Sequence, residues 1–139
     1  MNYVVVGASA AGINGVKYIR QLEPDANITL ISKDEHIYSR CILHHYLEGI
    51  RDIKALEFVE DGFIEKNNIN WIKGVAVEKI EPKQKELILS DGRTVSYDKV
   101  LLATGASTFF PPVKNLNDAK NVFGLRNLDD AIEIKEKAQ

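Results

Sequence analysis

Apolar residues fall along the chain in two rhythms. "NYVVV" (2–6) and "ITLI" (28–31) are short, largely β-branched runs without polar alternation, the pattern of parallel strands buried on both faces. Between them Ile13, Val16, Ile19 and Leu22 recur at helical spacing and predict a helix from about Ala10 to Leu22, broken by "EPDAN" (23–27). A strand, a glycine turn, a helix and a second strand within about 30 residues form one βαβ unit.

The remaining pattern is mixed. "SRCILHHYLEG" (39–49) predicts a short helix with Ser39 as cap and Gly49 as stop. "LEFVEDGFIEKNN" (56–68) predicts another helical stretch, interrupted by Gly62, and "INWIKG" a third strand. Over 75–96 the rhythm shortens: "VAVEKIEP", "KELILS" and "RTVS" alternate as antiparallel strands, separated by "KQK" and by the hairpin pair Asp91-Gly92. "YDKVLLATG" (97–105) returns to a buried strand ending in a second glycine turn. Phe109, Phe110, Pro111 and Pro112 read as linker, and "LDDAIEIKEKAQ" (128–139) as a helix capped by Asn127. The expected class is α/β: a Rossmann-like parallel sheet with an inserted three-stranded antiparallel meander.

Composition narrows the functional classes. A chain of 139 residues suffices for one domain with a real core, and a net charge of −2 with no basic block gives no reason to expect nucleic acid. Apolar runs stay far below the roughly 20 residues needed to span a bilayer, so no membrane partner is expected. The chain enters its first strand directly, leaving no room for a signal peptide, and its single cysteine allows no internal disulfide. Together these predict a cytoplasmic protein.

The loop "VVVGASAAG" carries the first candidate chemistry. In G-x-G-x-x-G turns the first glycine makes the bend, the second lets backbone approach a pyrophosphate, and the third lets helix and strand pack closely. Here Gly7 and Gly12 hold the outer positions and Ser9 the middle one. Serine takes a little room but adds a hydroxyl that can donate to a phosphate oxygen. Ala8, Ala10 and Ala11 keep the loop slim. About 20 residues beyond the last glycine an acid should bind the ribose. That count reaches Ser32, with Asp34 and Glu35 two and three residues later, while Ser32 beside Lys33 suits a ribose 2′-phosphate instead.

On "VVVGASAAG", "ITLISKDEHIYSRC", the 75–96 meander and "YDKVLLATGA", the sequence resembles the FAD-binding domain of the pyridine nucleotide-disulfide oxidoreductase superfamily, over essentially its whole length. Within it, the chain looks most like the branch of NADH-rubredoxin reductases, nitrite reductase large subunits and NADH oxidases. The resemblance implies FAD extended across the domain, its pyrophosphate on Gly7–Gly12 and its adenosine ribose near Ser32 and Lys33. It also implies adenine against the backbone of Ala76 and Val77, Ala103, Thr104 and Gly105 close to the cofactor, and Arg40 near the pyrophosphate or flavin. NAD(P)H would be co-substrate. Electrons would pass to a rubredoxin-like protein, a nitrite reductase module, or oxygen, peroxide or a disulfide. Residues 1–110 would form the FAD-binding domain and 111–139 a linker and helix leading toward an NAD(P)H-binding domain. These 139 residues contain neither that second domain nor a later Gly-Asp motif. The chain therefore reads as the N-terminal portion of a longer enzyme, expected to hold FAD weakly at best and to be inactive alone.

Cys41 follows Arg40 at the start of a predicted helix, where amides and a guanidinium favour thiolate. By the resemblance Cys41 and Tyr46 fall where NADH oxidases, peroxidases and CoA-disulfide reductases carry their redox cysteine and a tyrosine, although Ile42 replaces a glycine. The alternative is a small packed hydrophobe. His44 and His45 diverge by about 100° on a helix and cannot share a metal, so with His36 on a loop no metal site is expected. Trp71 and Tyr97 read as core or strand-edge aromatics, and Asp129, Asp130, Glu133, Lys135 and Glu136 as a solvated helix face. A stand-alone nucleotide-sensing Rossmann module is the competing function. The meander argues against it.

Overall fold

The computed structural model describes residues 1–116 and 118–138. Its strands are β1 (Asn2–Val6), β2 (Asn27–Ser32), β3 (Ile69–Lys73), β4 (Val77–Glu81), β5 (Glu86–Leu89), β6 (Thr94–Ser96) and β7 (Lys99–Leu102). Its α-helices are α1 (Ala10–Leu22), α2 (Leu43–Leu47), α3 (Phe63–Lys66) and α4 (Leu128–Lys137). The chain divides into two compact units, one of Met1–Ile37 with Phe58–Gly105, the other of Tyr38–Glu57 with Ala106–Gln139.

In the first unit a four-stranded parallel sheet has the order β3-β2-β1-β7, and β4-β5-β6 form the expected antiparallel meander. The period of two along β1 sorts its side chains onto two cores. Val5, with Tyr3 at its margin, joins Ile13 and Val16 of α1, Ile28, Leu30 and Phe63 on one face. Val4 and Val6 join Ile31, Leu87 and Leu89 under the meander on the other. Each fully covered side chain of this kind stabilises the fold by about 1.5–3 kcal/mol. The meander is therefore a structural layer, not an appendage.

Arg20 fastens the end of this unit away from the strands' carboxyl termini. Its guanidinium donates to the carbonyls of Pro24 (2.7 Å), Ala26 (2.8 Å), Asn67 (3.0 Å) and Asn68 (3.2 Å), tying the α1–β2 and α3–β3 turns together. Nearby, Tyr3 donates to the Glu23 carboxylate while the Lys99 ammonium lies 5.5 Å from the centre of the Tyr3 ring.

Three of the expected elements differ in the structure. The 56–68 stretch is helical only over Phe63–Lys66, because Gly62 takes a left-handed φ of 74° immediately before it. Residues 39–49 form a 3₁₀ turn at Arg40–Ile42 and then a five-residue α2, and Ser39 makes no side-chain cap bond. Gly49 does stop the segment, with φ 77°. Finally, β7 is not buried: it is the outermost strand of the sheet and leaves Leu101 39% and Leu102 53% exposed.

The second unit has its own small core of Tyr38, Leu43, Leu56, Leu128 and Ala131. Asn127 caps α4 as expected, accepting from the Asp130 amide. Asp130 is not a solvated charge, because its carboxylate accepts from the amides of Arg126 (2.7 Å) and Asn127 (2.9 Å) and completes the capping box. Lys135 likewise donates to the Tyr46 carbonyl at 3.0 Å. Phe109 is 80% exposed, and Phe110 is exposed beside it.

Candidate functional site

The strand order places a topological switch beside β1: β2 and β3 lie on one side of it, and the chain crosses back to set β7 on the other. Ligands of open α/β sheets bind at such a switch, outside the carboxyl ends of the strands. Gly7 stands there. Its φ is 111°, and a Cβ on it would lie 2.2 Å from the Ala103 carbonyl oxygen and 3.5 Å from the Thr104 amide nitrogen. "VVVGAS" and "LLATG" are thereby brought into direct contact.

Gly12 serves close packing of the helix start against the first strand and turn. It is buried in the first turn of α1, where a Cβ would come within 1.7 Å of the Gly7 carbonyl oxygen. Ala8 is buried, whereas Ala10 and Ala11 are exposed at the helix tip.

The first amides of an α-helix have no partner within the helix, and an N-cap serine normally satisfies one of them. Ser9 is the N-cap of α1, extended at φ −98° and ψ −169°, yet its side chain makes no cap bond. No acid occupies the first turn. This tip therefore pairs unsatisfied amides with the positive end of the helix dipole, the arrangement that receives phosphate. The residues present fit a dinucleotide pyrophosphate.

Around the tip, the ends of β2 and β3 and the start of the meander converge. Val75 donates its amide to the Ser32 carbonyl at 3.0 Å. Ser32 itself is 5% exposed and already committed: its hydroxyl donates to the Asp34 carbonyl (2.7 Å) and accepts from the Trp71 indole (2.9 Å). Lys33 and Glu35 are exposed beyond it. Ala76 is committed as well, its amide donating to Ser90 Oγ (3.1 Å) and its carbonyl accepting from the Ser90 amide (2.9 Å). Successive residues of an antiparallel strand turn their backbone groups to opposite sides. Val77, in register with Leu89, therefore turns its N–H and C=O toward the outer side of β4. Neither the Trp71–Ser32 bond nor the role of Ser90 was visible in the sequence. The sole hint was Ser90 standing directly before the Asp91-Gly92 turn.

Arg40 and Cys41 belong to the second unit. Arg40 donates to the Tyr38 hydroxyl (3.0 Å) and to the Arg126 carbonyl (3.2 Å), and that hydroxyl also accepts from the Leu128 amide (2.9 Å). Cys41 is exposed and lies in the three-residue 3₁₀ turn, so the α-helical N-terminus expected to support a thiolate is not there. His44 and His45 pack edge to face, their centroids 4.2 Å apart. Among the described residues no group of three or more His, Cys, Asp and Glu is placed to hold a metal ion. No helix among them is long and apolar enough to cross a membrane.

Comparison with known proteins agrees with this geometry. The family model described as pyridine nucleotide-disulphide oxidoreductase matches residues 1–139. The chain belongs to this family. Among its relatives, the NADH-dependent phenylglyoxylate dehydrogenase subunit epsilon of Aromatoleum evansii is 30% identical over 96% of this chain and 32% of its own length. The ferredoxin–NAD(+) reductase component of 3-phenylpropionate/cinnamic acid dioxygenase from Photorhabdus laumondii is 35% identical over 96% of this chain and 34% of its own. A water-forming NADH oxidase from Lactobacillus brevis, solved bound to NADH, superposes with a TM-score of 0.86 at 27% identity, covering 99% of this chain and 32% of that one. The chain thus spans about a third of the length of the curated relatives it matches. As a family member, it has its glycine turn, meander and "ATG" strand end in the arrangement that the sequence led us to expect.

Proposed function

We propose that residues 1–110 carry the FAD-binding domain of an NAD(P)H-dependent flavoprotein oxidoreductase, with residues 111–139 leading toward its NAD(P)H-binding part. The observation that carries this reading is the uncapped tip of α1 beside Gly7 at the switch point of the sheet. FAD, when bound, supplies hydride acceptance from NAD(P)H and onward electron transfer.

The chain's own residues then bind and orient. The amides of Ala10, Ala11 and Gly12 receive a pyrophosphate oxygen, and the Ser9 hydroxyl, not used as a cap, donates a further bond. Gly7 keeps the turn packed against Ala103 and Thr104, where a side chain on it would collide with backbone. The N–H and C=O of Val77 offer a donor and an acceptor side by side, complementary to adenine N1 and its amino group. Ala76 contributes by holding that strand to Ser90, and adenine contact passes to Val77 alone. Lys33 and Gly105 flank the cofactor path.

The electron acceptor is a rubredoxin-like protein, a nitrite reductase module, or a small acceptor such as oxygen, peroxide or a disulfide. Cys41 is the redox thiol for the small acceptors, supported by its exposure. The single cysteine, a free thiol, supports a cytoplasmic location.

The visible spectrum of FAD, recorded with and without the purified chain, tests the cofactor. Shifted, better-resolved flavin bands support the reading, and bands identical to free FAD at protein excess count against it. For the thiol, Cys41→Ser in a complete enzyme containing this chain is expected to abolish peroxide or disulfide reduction. Unchanged turnover would remove Cys41 from the mechanism.

A further inference from the structure

We propose that Glu35, rather than the residue ending β2, reads the adenosine ribose of the bound nucleotide. This rests on the nucleotide-binding reading above and adds the residue that selects the sugar. A ribose diol presents two O–H donors and is best met by an ionised carboxylate, which only accepts. Ser32 cannot supply that function. Its single O–H is donated to Asp34, its oxygen already accepts from Trp71, and it is 5% exposed.

Glu35 stands three residues further on, exposed, with its side chain laid back over Gly74. Its Oε1 lies 3.2 Å, and its Cγ 3.7 Å, from the point a Cβ on Gly74 would occupy. Gly74 also has φ 72°, so the position favours glycine on two counts. That approach sets the carboxylate at the carboxyl end of β3, immediately before the segment that leads to Val77, proposed to meet adenine. A nucleotide running from the tip of α1 to Val77 would bring its ribose past the end of β3, within reach of this carboxylate. A negative charge there suits the free 2′-hydroxyl of FAD and would repel a 2′-phosphate.

Binding of FAD, ADP and 2′-deoxy-ADP to the purified chain and to Glu35→Gln and Asp34→Asn variants tests this. The wild type is expected to prefer ADP to 2′-deoxy-ADP. Glu35→Gln should weaken FAD about tenfold and bring the ADP to 2′-deoxy-ADP ratio near one, as expected for loss of a charged hydrogen bond. Asp34→Asn should change neither by more than about twofold. A Glu35→Gln variant that binds FAD and discriminates the sugar like wild type overturns this inference and leaves the pyrophosphate reading intact. Failure of the wild type to bind FAD or ADP at all overturns both.

Discussion

Gly12 lies so close beneath Gly7 that a Cβ on it would stand 1.7 Å from the Gly7 carbonyl oxygen. The obstacle is backbone, which cannot rotate away as a side chain can. Gly15, one turn further along α1, presents a useful contrast: its Cβ would meet only Leu101 Cδ2, at 2.3 Å, on the partly exposed outer strand.

The two glycines should therefore respond differently to alanine. Alanine is favoured over glycine inside a helix by about 1 kcal/mol. At Gly12 the clash should outweigh that gain, costing about 3 kcal/mol or more as the turn is forced open. Gly15→Ala should stay within about 1 kcal/mol of wild type, because Leu101 can change rotamer. Urea denaturation of both variants checks the pair, and equal midpoints would contradict it.

Arg20 should be a hinge pin for stability and irrelevant to nucleotide contact. Its fork reaches four carbonyls from two different turns, a geometry a lysine ammonium cannot reproduce. Arg20→Lys is expected to cost about 2 kcal/mol by the loss of charged hydrogen bonds. Thermal unfolding measures it, and a melting temperature equal to wild type would show that the four bonds contribute nothing net.

Trp71→Phe isolates the indole N–H that secures Ser32. The ring body stays packed, while Ser32 loses its donor and keeps only its bond to Asp34. The expected cost is about 1 kcal/mol, with faster amide exchange across residues 32–35 than in wild type. Unaltered exchange there would mean that the loop is held by other contacts.

Tyr3 should make stability fall at alkaline pH. The bond donated to Glu23, reinforced by burial, raises the Tyr3 phenol above its ordinary value, against a lowering influence of Lys99. A raised folded-state value means the folded chain holds this proton more tightly than the unfolded one. The stabilisation is therefore complete below the unfolded value of about 10 and is lost as pH climbs through the folded value. Tyr3→Phe should flatten this part of the stability curve above pH about 10. A slope unchanged in the variant would assign it to other groups.

The sequence made the first unit legible wherever short-range physics determines it. The β-branched runs of β1 and β2, the helical spacing of α1 and the Asp91-Gly92 turn each state their conformation locally, and all formed as expected. The 56–68 stretch misled because its apolar spacing mimics a helix, while the left-handed Gly62 confines helix to four residues. The run of β7 looked buried because Val100, Leu101 and Leu102 are apolar. Only the sheet order reveals that nothing among the described strands lies outside it. At the candidate site, the glycine spacing made the tight turn legible, since Gly7 and Gly12 each answer to a local steric demand. The commitments of Ser32 to Trp71, Ala76 to Ser90 and Asp130 to the start of α4 were not legible in advance, because each depends on tertiary or side-chain geometry that no spacing rule encodes.

The most direct measurement is an amide chemical-shift titration of the isotopically labelled chain with FAD, which detects even weak binding. Saturable shifts centred on the amides of Ser9, Ala10, Ala11 and Gly12, accompanied by Val77, are expected. Saturating FAD that leaves those amides unmoved, or moves only amides remote from the Gly7 turn, would contradict a pyrophosphate held at the tip of α1.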